Sequence, residues 1–402
     1  MNRTTPENWS PPDGSNLLPY GRHTIDEADI AAVVEILRSD WLTTGPAVER
    51  FEDAMAAYTS APFAVALSSG TAALHAAMYA AGVGPGDEVI VPPITFVATA
   101  NAVVFQGATP IFADVHRDTL LLDPAAVEAR ITSQTRAILA VDYAGQPCEY
   151  ARLRALAERY RLILVADACH SLGASYSGRP VGTLADLTVF SFHPVKHITT
   201  GEGGMVVTNR IEFRERMAAF RNHGIGTDHR QRAARGSWTY DMRDLGYNYR
   251  LTDFQCALGL SQLSKLPQWL ARRRALASRY TQALDCISLV RRVGVRSDVE
   301  HAYHLYPVRV NFEAAGISRA QLFRRFHARG IRVNVHYIPV HLQPYYRNRF
   351  GTAPGLCPAA EQAYTELLTL PLFPAMTDEQ VQDVVSVLSG SLARAAPRTA
   401  RP

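Results

Sequence analysis

Three short segments carry side chains whose types and spacing suit chemistry. The first, Ser68-Ser69-Gly70-Thr71, follows an apolar run and opens a helical pattern. Small residues there let backbone N–H groups approach an anion, and a helix N-terminus favours negative charge, so a phosphate fits. Helix capping by Ser or Thr accounts for the same residues. The second, Leu164-Val165-Ala166-Asp167-Ala168-Cys169-His170, puts Asp167 at the end of an apolar strand pattern. Open α/β sheets bind ligands at that edge, although an Asp there also caps a following element. The third runs from Phe190 to Gly204 and places Lys196 between an apolar strand and a turn containing Gly201, Gly203 and Gly204. A lysine so placed can be desolvated, which lowers its pKa and frees the amine as a nucleophile. A solvated loop lysine is the ordinary alternative.

Taken together, the three segments supply what pyridoxal 5′-phosphate (PLP) needs. The phosphate cradle anchors the cofactor, the acid pairs with the pyridinium nitrogen, and the lysine holds the aldehyde as an imine. Phe96 follows an apolar strand and is available to lie over the ring, though it serves equally as a core residue.

The elements that position these residues come from periodicity. Strands are predicted at Phe63–Leu67, Glu88–Val91, Thr109–Ala113, Arg136–Val141, Leu162–Ala166, Leu187–Ser191 and Met205–Thr208. Several are apolar throughout, as expected of strands covered on both faces. Helices are predicted between them at Thr71–Ala81, Thr95–Phe105, Pro124–Arg130 and Glu149–Tyr160. This is the alternation of an α/β domain with a mainly parallel sheet. The last two strands lack an intervening helix, so the sheet can be mixed. Gly224–Asn248 reads as a long functional loop. Leu251 to about Asp285 reads as one or two long helices, with Pro267 as a possible break. Beyond lie an expected strand (Tyr303–Val310), a helix (Arg319–Arg329), a strand (Val333–His336) and a final helix (Asp378–Leu392), the texture of a smaller α+β domain. The expected division is an N-terminal extension at 1–17, a large cofactor domain at 18–250, and interdomain helices with a small C-terminal domain at 251–402.

Composition narrows the class. The 402 residues are 47% apolar and 19% charged, with a net charge of +4 from 41 basic and 37 acidic side chains. That balance is ordinary for a soluble globular protein and too mild to argue for nucleic acid. No run of about 20 apolar residues suggests a membrane span. Residues 1–16 are polar and Pro-rich, unlike a secretory signal. The five cysteines are scattered and form no CxxC pair, which argues against a disulfide framework or a metal site and fits a reducing cytoplasm.

These segments closely resemble the DegT/StrS-type family of PLP-dependent nucleotide-sugar aminotransferases, from about Leu18 to the final helix. The likeness is carried by Asp40-Trp41-Leu42-Thr43-Thr44-Gly45-Pro46, Ser69-Gly70-Thr71-Ala72-Ala73-Leu74-His75, Gly84-Pro85-Gly86-Asp87-Glu88-Val89, Phe192-His193-Pro194-Val195-Lys196 and Gly246-Tyr247-Asn248-Tyr249-Arg250-Leu251-Thr252-Asp253. The resemblance implies the fold-type I aminotransferase architecture: a large domain with a mainly parallel seven-stranded sheet, plus a smaller C-terminal α+β domain. It implies a homodimer with shared active sites, Lys196 as the imine lysine and general acid/base, and Asp167 as partner of the pyridine nitrogen. Gly70, Thr71 and Ser191 would hold the phosphate, Asn248 would reach the phosphate of the neighbouring subunit, and Phe96 would stack on the ring. His170 stands where many members have Gln. A related branch of sugar dehydratases has His in place of the lysine, so Lys196 favours transamination.

Within the family, Leu18-Pro19-Tyr20-Gly21-Arg22, His301-Ala302-Tyr303-His304-Leu305-Tyr306-Pro307 and Val335-His336-Tyr337-Ile338-Pro339-Val340-His341 resemble the C4 aminotransferases of the pseudaminic acid pathway. The substrate implied is a UDP-linked 4-keto-6-deoxy-N-acetyl-L-hexosamine, with L-glutamate as amino donor. The product implied is UDP-4-amino-4,6-dideoxy-N-acetyl-β-L-altrosamine. A nucleotide diphosphate calls for cations, and His229, Arg230, Arg232 and Arg235 precede Asn248 in the long loop. Arg suits bidentate phosphate contacts, though a solvated basic loop explains the same run. His304, His336 and His341 are candidates for sugar or diphosphate contact, or structural histidines. Three rivals stand beside this reading: an aminotransferase for another keto sugar such as the perosamine type, a sugar dehydratase, and a non-catalytic regulator on the same fold.

Overall fold

The computed structural model describes residues 17–393, so all but the last residue of the expected N-terminal extension lies outside the described residues. Seven strands form the main sheet: β1 (Phe63–Leu67), β2 (Glu88–Val91), β3 (Thr109–Phe112), β4 (Thr135–Val141), β5 (Ile163–Asp167), β6 (Leu187–Ser191) and β7 (Gly204–Thr208). Their order is β1-β7-β6-β5-β4-β2-β3. The pairs from β6 through β5, β4 and β2 to β3 are parallel. β7 runs antiparallel to both neighbours, pairing Thr208 with Phe63 and with Leu187. The missing helix between β6 and β7 thus accompanies a mixed sheet: without a crossover helix, the 192–203 link brings β7 back antiparallel. Every residue of β7 is buried, as covering on both faces requires.

Helices α1 (Glu27–Leu37) and α2 (Pro46–Thr59) precede the sheet. The covering helices α3 (Gly70–Ala80), α4 (Val97–Phe105), α5 (Pro124–Glu128) and α6 (Tyr150–Tyr160) fall where periodicity predicts them. After β7 come α7 (Ile211–Phe220), α8 (His229–Ala234) and the 32-residue α9 (Asp253–Leu284). The expected long loop therefore holds one short helix, closed by a capping box between Asp228 and Gln231. α9 continues through Pro267: it buries Leu263, Leu266, Leu270 and Leu276, and that packing offsets the hydrogen bond the proline removes.

A smaller antiparallel sheet follows, in the order β8 (Val290–Arg292), β9 (Tyr306–Val310), β10 (Leu367–Leu370). The final helix, Asp378–Ala393, packs on α9 and on the helix Arg319–His327. The apolar interior divides into two clusters. One surrounds the seven-stranded sheet; the other joins Leu276, Tyr280, Val308, Phe326, Leu368 and Leu388, with Leu18 packed into it.

Two strand expectations need correction. Val333–His336 forms no strand; Asn334 makes a single bridge to Thr369, and the chain then turns so that Val335, His336 and Tyr337 face the main sheet's edge. The strand expected from Tyr303 starts at Tyr306, because Tyr303 has a left-handed backbone (φ 48°) that no strand accommodates. Among the described residues no helix is long and apolar enough to cross a membrane.

Candidate active site

The segments singled out from sequence meet at the C-terminal edge of β5 and β6. They line a cavity of ≈ 520 Å³ together with Tyr20 and the 334–337 segment. Gly70, Thr71, Phe96, Asp167, His170, Ser191, Lys196, His304 and His336 all contribute to its wall. Two surface hollows are larger, ≈ 610 and ≈ 900 Å³, but none of these residues lines either.

One end of the cavity is built to approach an anion. Ser69 caps α3, its hydroxyl accepting from Ala72 N–H at 3.0 Å. Gly70 begins the helix pressed against the end of β6, where a Cβ would stand 2.9 Å from Ser191 Cβ and 3.0 Å from its Oγ. Gly204 packs equally close, with Ser69 O only 2.4 Å from where a Cβ would be. Only glycine lets these backbones approach, leaving the N–H groups of Gly70 and Thr71, ahead of the capped Ala72, free of side-chain cover.

Asp167 ends β5 and is 6% exposed. Its Oδ2 accepts from Thr99 Oγ1 at 2.6 Å, and Thr99 Oγ1 in turn meets Thr95 Oγ1 at 2.7 Å. Sequence reasoning missed this threonine pair. It comes from α4 and the residues before it, and nothing in its composition separates it from other threonines. Phe96 is the N-cap of α4 and keeps 58% of its surface exposed, its ring 6.3 Å from that of Tyr337.

Lys196 sits on a turn closed by its N–H donating to His193 O at 2.8 Å. Its Nζ lies 3.4 Å from His304 Nε2. Burial lowers the Lys196 pKa, while nearby Cys169 and Asp167 pull it back upward. Four histidines gather around it. His170 and His304 have ring centres 4.4 Å apart, and His304 and His197 5.5 Å. Tyr337 Oη meets His170 Nε2 at 3.1 Å, and Thr369 Oγ1 meets His336 Nδ1 at 2.9 Å. Burial pushes the pKa of each histidine down, His336 to about 3, so all four are neutral near pH 7. Tyr337 was a second omission; the strand expected at 333–336 hid the turn that brings it in.

The lysine count is a further signal in the sequence. The chain has only two lysines, Lys196 and Lys265. Lys265 is tied to Asp26 at 2.5 Å and Asp29 at 2.8 Å, and those carboxylates raise its pKa. It is held as a cation, so of the two lysines Lys196 is the one whose pKa burial lowers.

Three expected contacts fall outside this cavity. Asn248 is exposed and bridges to Asn222. Arg230 lies 3.9 Å from Glu49 and stands over the Trp41 ring. His341 is fully buried and bonded to Glu361 at 2.9 Å, the structural alternative for that residue.

Fold and site together define a PLP-dependent enzyme of fold-type I. The DegT/DnrJ/EryC1/StrS aminotransferase family matches residues 23–389, and the chain belongs to that family. It is 39% identical to the spore coat polysaccharide biosynthesis protein SpsC of Bacillus subtilis, over 93% of this chain and 97% of that one. Its fold matches the putative sugar aminotransferase Spr1654 of Streptococcus pneumoniae, known in PLP and PMP forms, with TM-score 0.88, 34% identity and coverage of 94% and 99%. It also matches Helicobacter pylori PseC, an aminotransferase involved in the biosynthesis of pseudoaminic acid, with TM-score 0.86, 32% identity and coverage of 95% and 99%. The chain is accordingly a sugar aminotransferase whose cofactor is PLP.

Proposed function

We propose that this aminotransferase moves an amino group from L-glutamate to C4 of a nucleotide-linked 4-keto-6-deoxy sugar. The specific reaction is conversion of UDP-4-keto-6-deoxy-N-acetyl-L-hexosamine to UDP-4-amino-4,6-dideoxy-N-acetyl-β-L-altrosamine, feeding a surface polysaccharide. The observation that carries the transamination is the buried amine of Lys196, its pKa lowered by desolvation, held in one cavity with the buried carboxylate of Asp167 and the N-terminus of α3. The choice of sugar is supported by the sequence likeness at 18–22, 301–307 and 335–341 and by the match to PseC.

The residues fit the cofactor. Gly70, Thr71 and Ser191 would receive the phosphate, in a space that a Cβ at position 70 would fill. Asp167 would pair with the ring nitrogen, its other bonds fixed by Thr99, and the exposed face of Phe96 would cover the ring. His170 would stand beside the ring's edge. When bound, PLP supplies an aldehyde for the amino group and a ring that draws electrons from the reacting carbon. Lys196 Nζ then does the proton work, taking the proton from Cα of the donor and, in the return half, giving one to C4 of the sugar. Thr99 keeps Asp167 turned toward the cavity, and His336 and Tyr337 close the wall against water. Lys196 in place of a histidine favours amine transfer over dehydration.

The same reading makes the protein a cytoplasmic homodimer. The exposed apolar side chains of the loop after α8, Trp238, Tyr240, Met242 and Leu245, are 58 to 84% accessible, a patch suited to a second copy. Asn248 ends that loop and would reach the partner's phosphate site, and Arg230 would face the partner's bound diphosphate. The described cysteines are all free, as a reducing compartment keeps them.

The test is incubation with L-glutamate and the UDP-keto sugar, with the product followed by mass spectrometry. An amino sugar formed as glutamate is consumed is expected. Loss of a hydroxyl from the sugar instead would mark a dehydratase, and turnover only with a GDP- or dTDP-linked keto sugar would move the substrate assignment within the class.

A further inference from the structure

The surroundings of His304 suit a task other than sugar contact. Its Nε2 is the hydrogen-bond partner of the Lys196 amine among the described residues, at 3.4 Å. Its Nδ1 is buried and without a partner. A neutral imidazole carries one N–H, and a buried N–H without an acceptor is harder to tolerate than a buried lone pair without a donor. The proton therefore belongs on Nε2, facing the lysine. Neighbouring His197 shows the same arrangement: its Nε2 donates to the Ala302 carbonyl at 3.1 Å and its Nδ1 is left without a partner.

The segment bearing His304 is firmly held. Arg273 of α9, only 1% exposed, donates to the carbonyls of Tyr303 and His304 at 3.2 and 3.4 Å. On the other side Ala302 N–H donates to Gly145 O at 2.9 Å and Leu305 N–H to Ala144 O at 3.2 Å. The buried guanidinium also opposes any second proton on the imidazole.

We propose that His304 is a positioning residue for Lys196: whenever the lysine amine is not bonded to cofactor, His304 Nε2–H donates to its lone pair, holding it neutral and aimed into the cavity. This rests on the reading of Lys196 as the cofactor lysine. Other charges act on the same amine. Asp167 and Cys169, from the end of β5, favour its protonation, whereas His170, His197 and His336 oppose it if they charge. Glu202 and Tyr337 also line the cavity. His304 is the group that touches the nitrogen.

The test uses the full chain freed of cofactor. PLP is added across a pH series, and growth of the visible absorption of lysine-bound cofactor gives the capture rate, which follows the neutral fraction of Lys196. His304→Phe fills the space without a donor. It is expected to raise the midpoint of the profile by about a half to one unit, the size of one lost hydrogen bond, and to slow capture several-fold near neutral pH. His304→Gln, whose amide nitrogen reaches a similar place, is expected to restore the wild-type midpoint. If His304→Phe does not fold, His304→Asn carries the test, since its shorter amide cannot reach the lysine and is expected to shift the midpoint in the same way. An unchanged midpoint in a folded variant lacking the donor overturns the proposal. So does equal loss with Phe and Gln, which marks a packing role. If wild type itself gains no band, the Lys196 reading fails, and this proposal with it.

Discussion

At the scale of single residues, the site depends on what is small as much as on what is charged. Gly70 leaves room where a Cβ would stand 2.9 Å from Ser191 Cβ. Gly70→Ala is expected to cost about 1–3 kcal/mol by overpacking and to weaken PLP retention at least tenfold. Thermal melting and a PLP titration check this; wild-type affinity in the variant would remove Gly70 from the phosphate site. Thr99 is expected to act through Asp167 alone. Thr99→Val keeps the shape and loses the 2.6 Å hydrogen bond, so activity should fall several-fold while the fold holds. Steady-state kinetics beside a circular dichroism spectrum check it, and unchanged kcat and KM would dismiss the role. Gly70, Asp167, Ser191 and Lys196, which the structure gathers in one cavity, could be singled out from sequence because each lies in a short run beside a strand end. Thr99 and Tyr337 could not, because their places depend on a helix start and a turn that bring distant chain to Asp167 and His170.

At the scale of elements, the positions of the helices around the sheet rest on a few buried polar ties. Asp253 at the start of α9 is fully buried and accepts from Gly45 N–H at 2.7 Å and Ala47 N–H at 2.9 Å, the first donors of α2. Asp253→Ala leaves those N–H groups buried without acceptors and is expected to cost roughly 2–4 kcal/mol. Chemical denaturation checks it: Asp253→Asn should fall between wild type and Ala, and a wild-type midpoint for Ala would show that water replaces the carboxylate. The seven main strands were readable from their apolar runs, each observed within a residue of its expected ends. The short strands of the second sheet were harder. β8 is three residues long with two exposed arginines, and the 333–336 run alternates like a strand yet pairs only through Asn334. In such segments tertiary placement overrides local pattern.

At the scale of the whole molecule, buried neutral histidines make the fold sensitive to acid. His75, His301 and His336 are pushed by burial to about 4, 3 and 3. In the unfolded chain they take up protons from about pH 6.5 downward, whereas the folded protein refuses them until well below. Their contribution to stability is complete above about pH 6.5 and is lost progressively as pH falls toward the folded values. Asp142, raised to about 6 by burial, acts in the opposite direction, losing its contribution as pH rises through that value. His170, His197, His304 and His341 are also pushed down by burial, and these seven histidines against one carboxyl predict a melting temperature that falls between about pH 7 and pH 5; a flat profile would contradict this. The proposed dimer belongs to the same scale: if Asn248 reaches a second copy's phosphate site, Asn248→Ala should lower PLP affinity without changing the sedimentation coefficient, and unchanged affinity would contradict that role. Whether the Lys196 amine carries the cofactor is decided by borohydride reduction of the purified protein followed by peptide mass spectrometry. With only two lysines in the chain the result is unambiguous. The phosphopyridoxyl mass is predicted on the peptide containing Lys196. The same mass on the Lys265 peptide, or on neither after PLP has been supplied, would contradict the account.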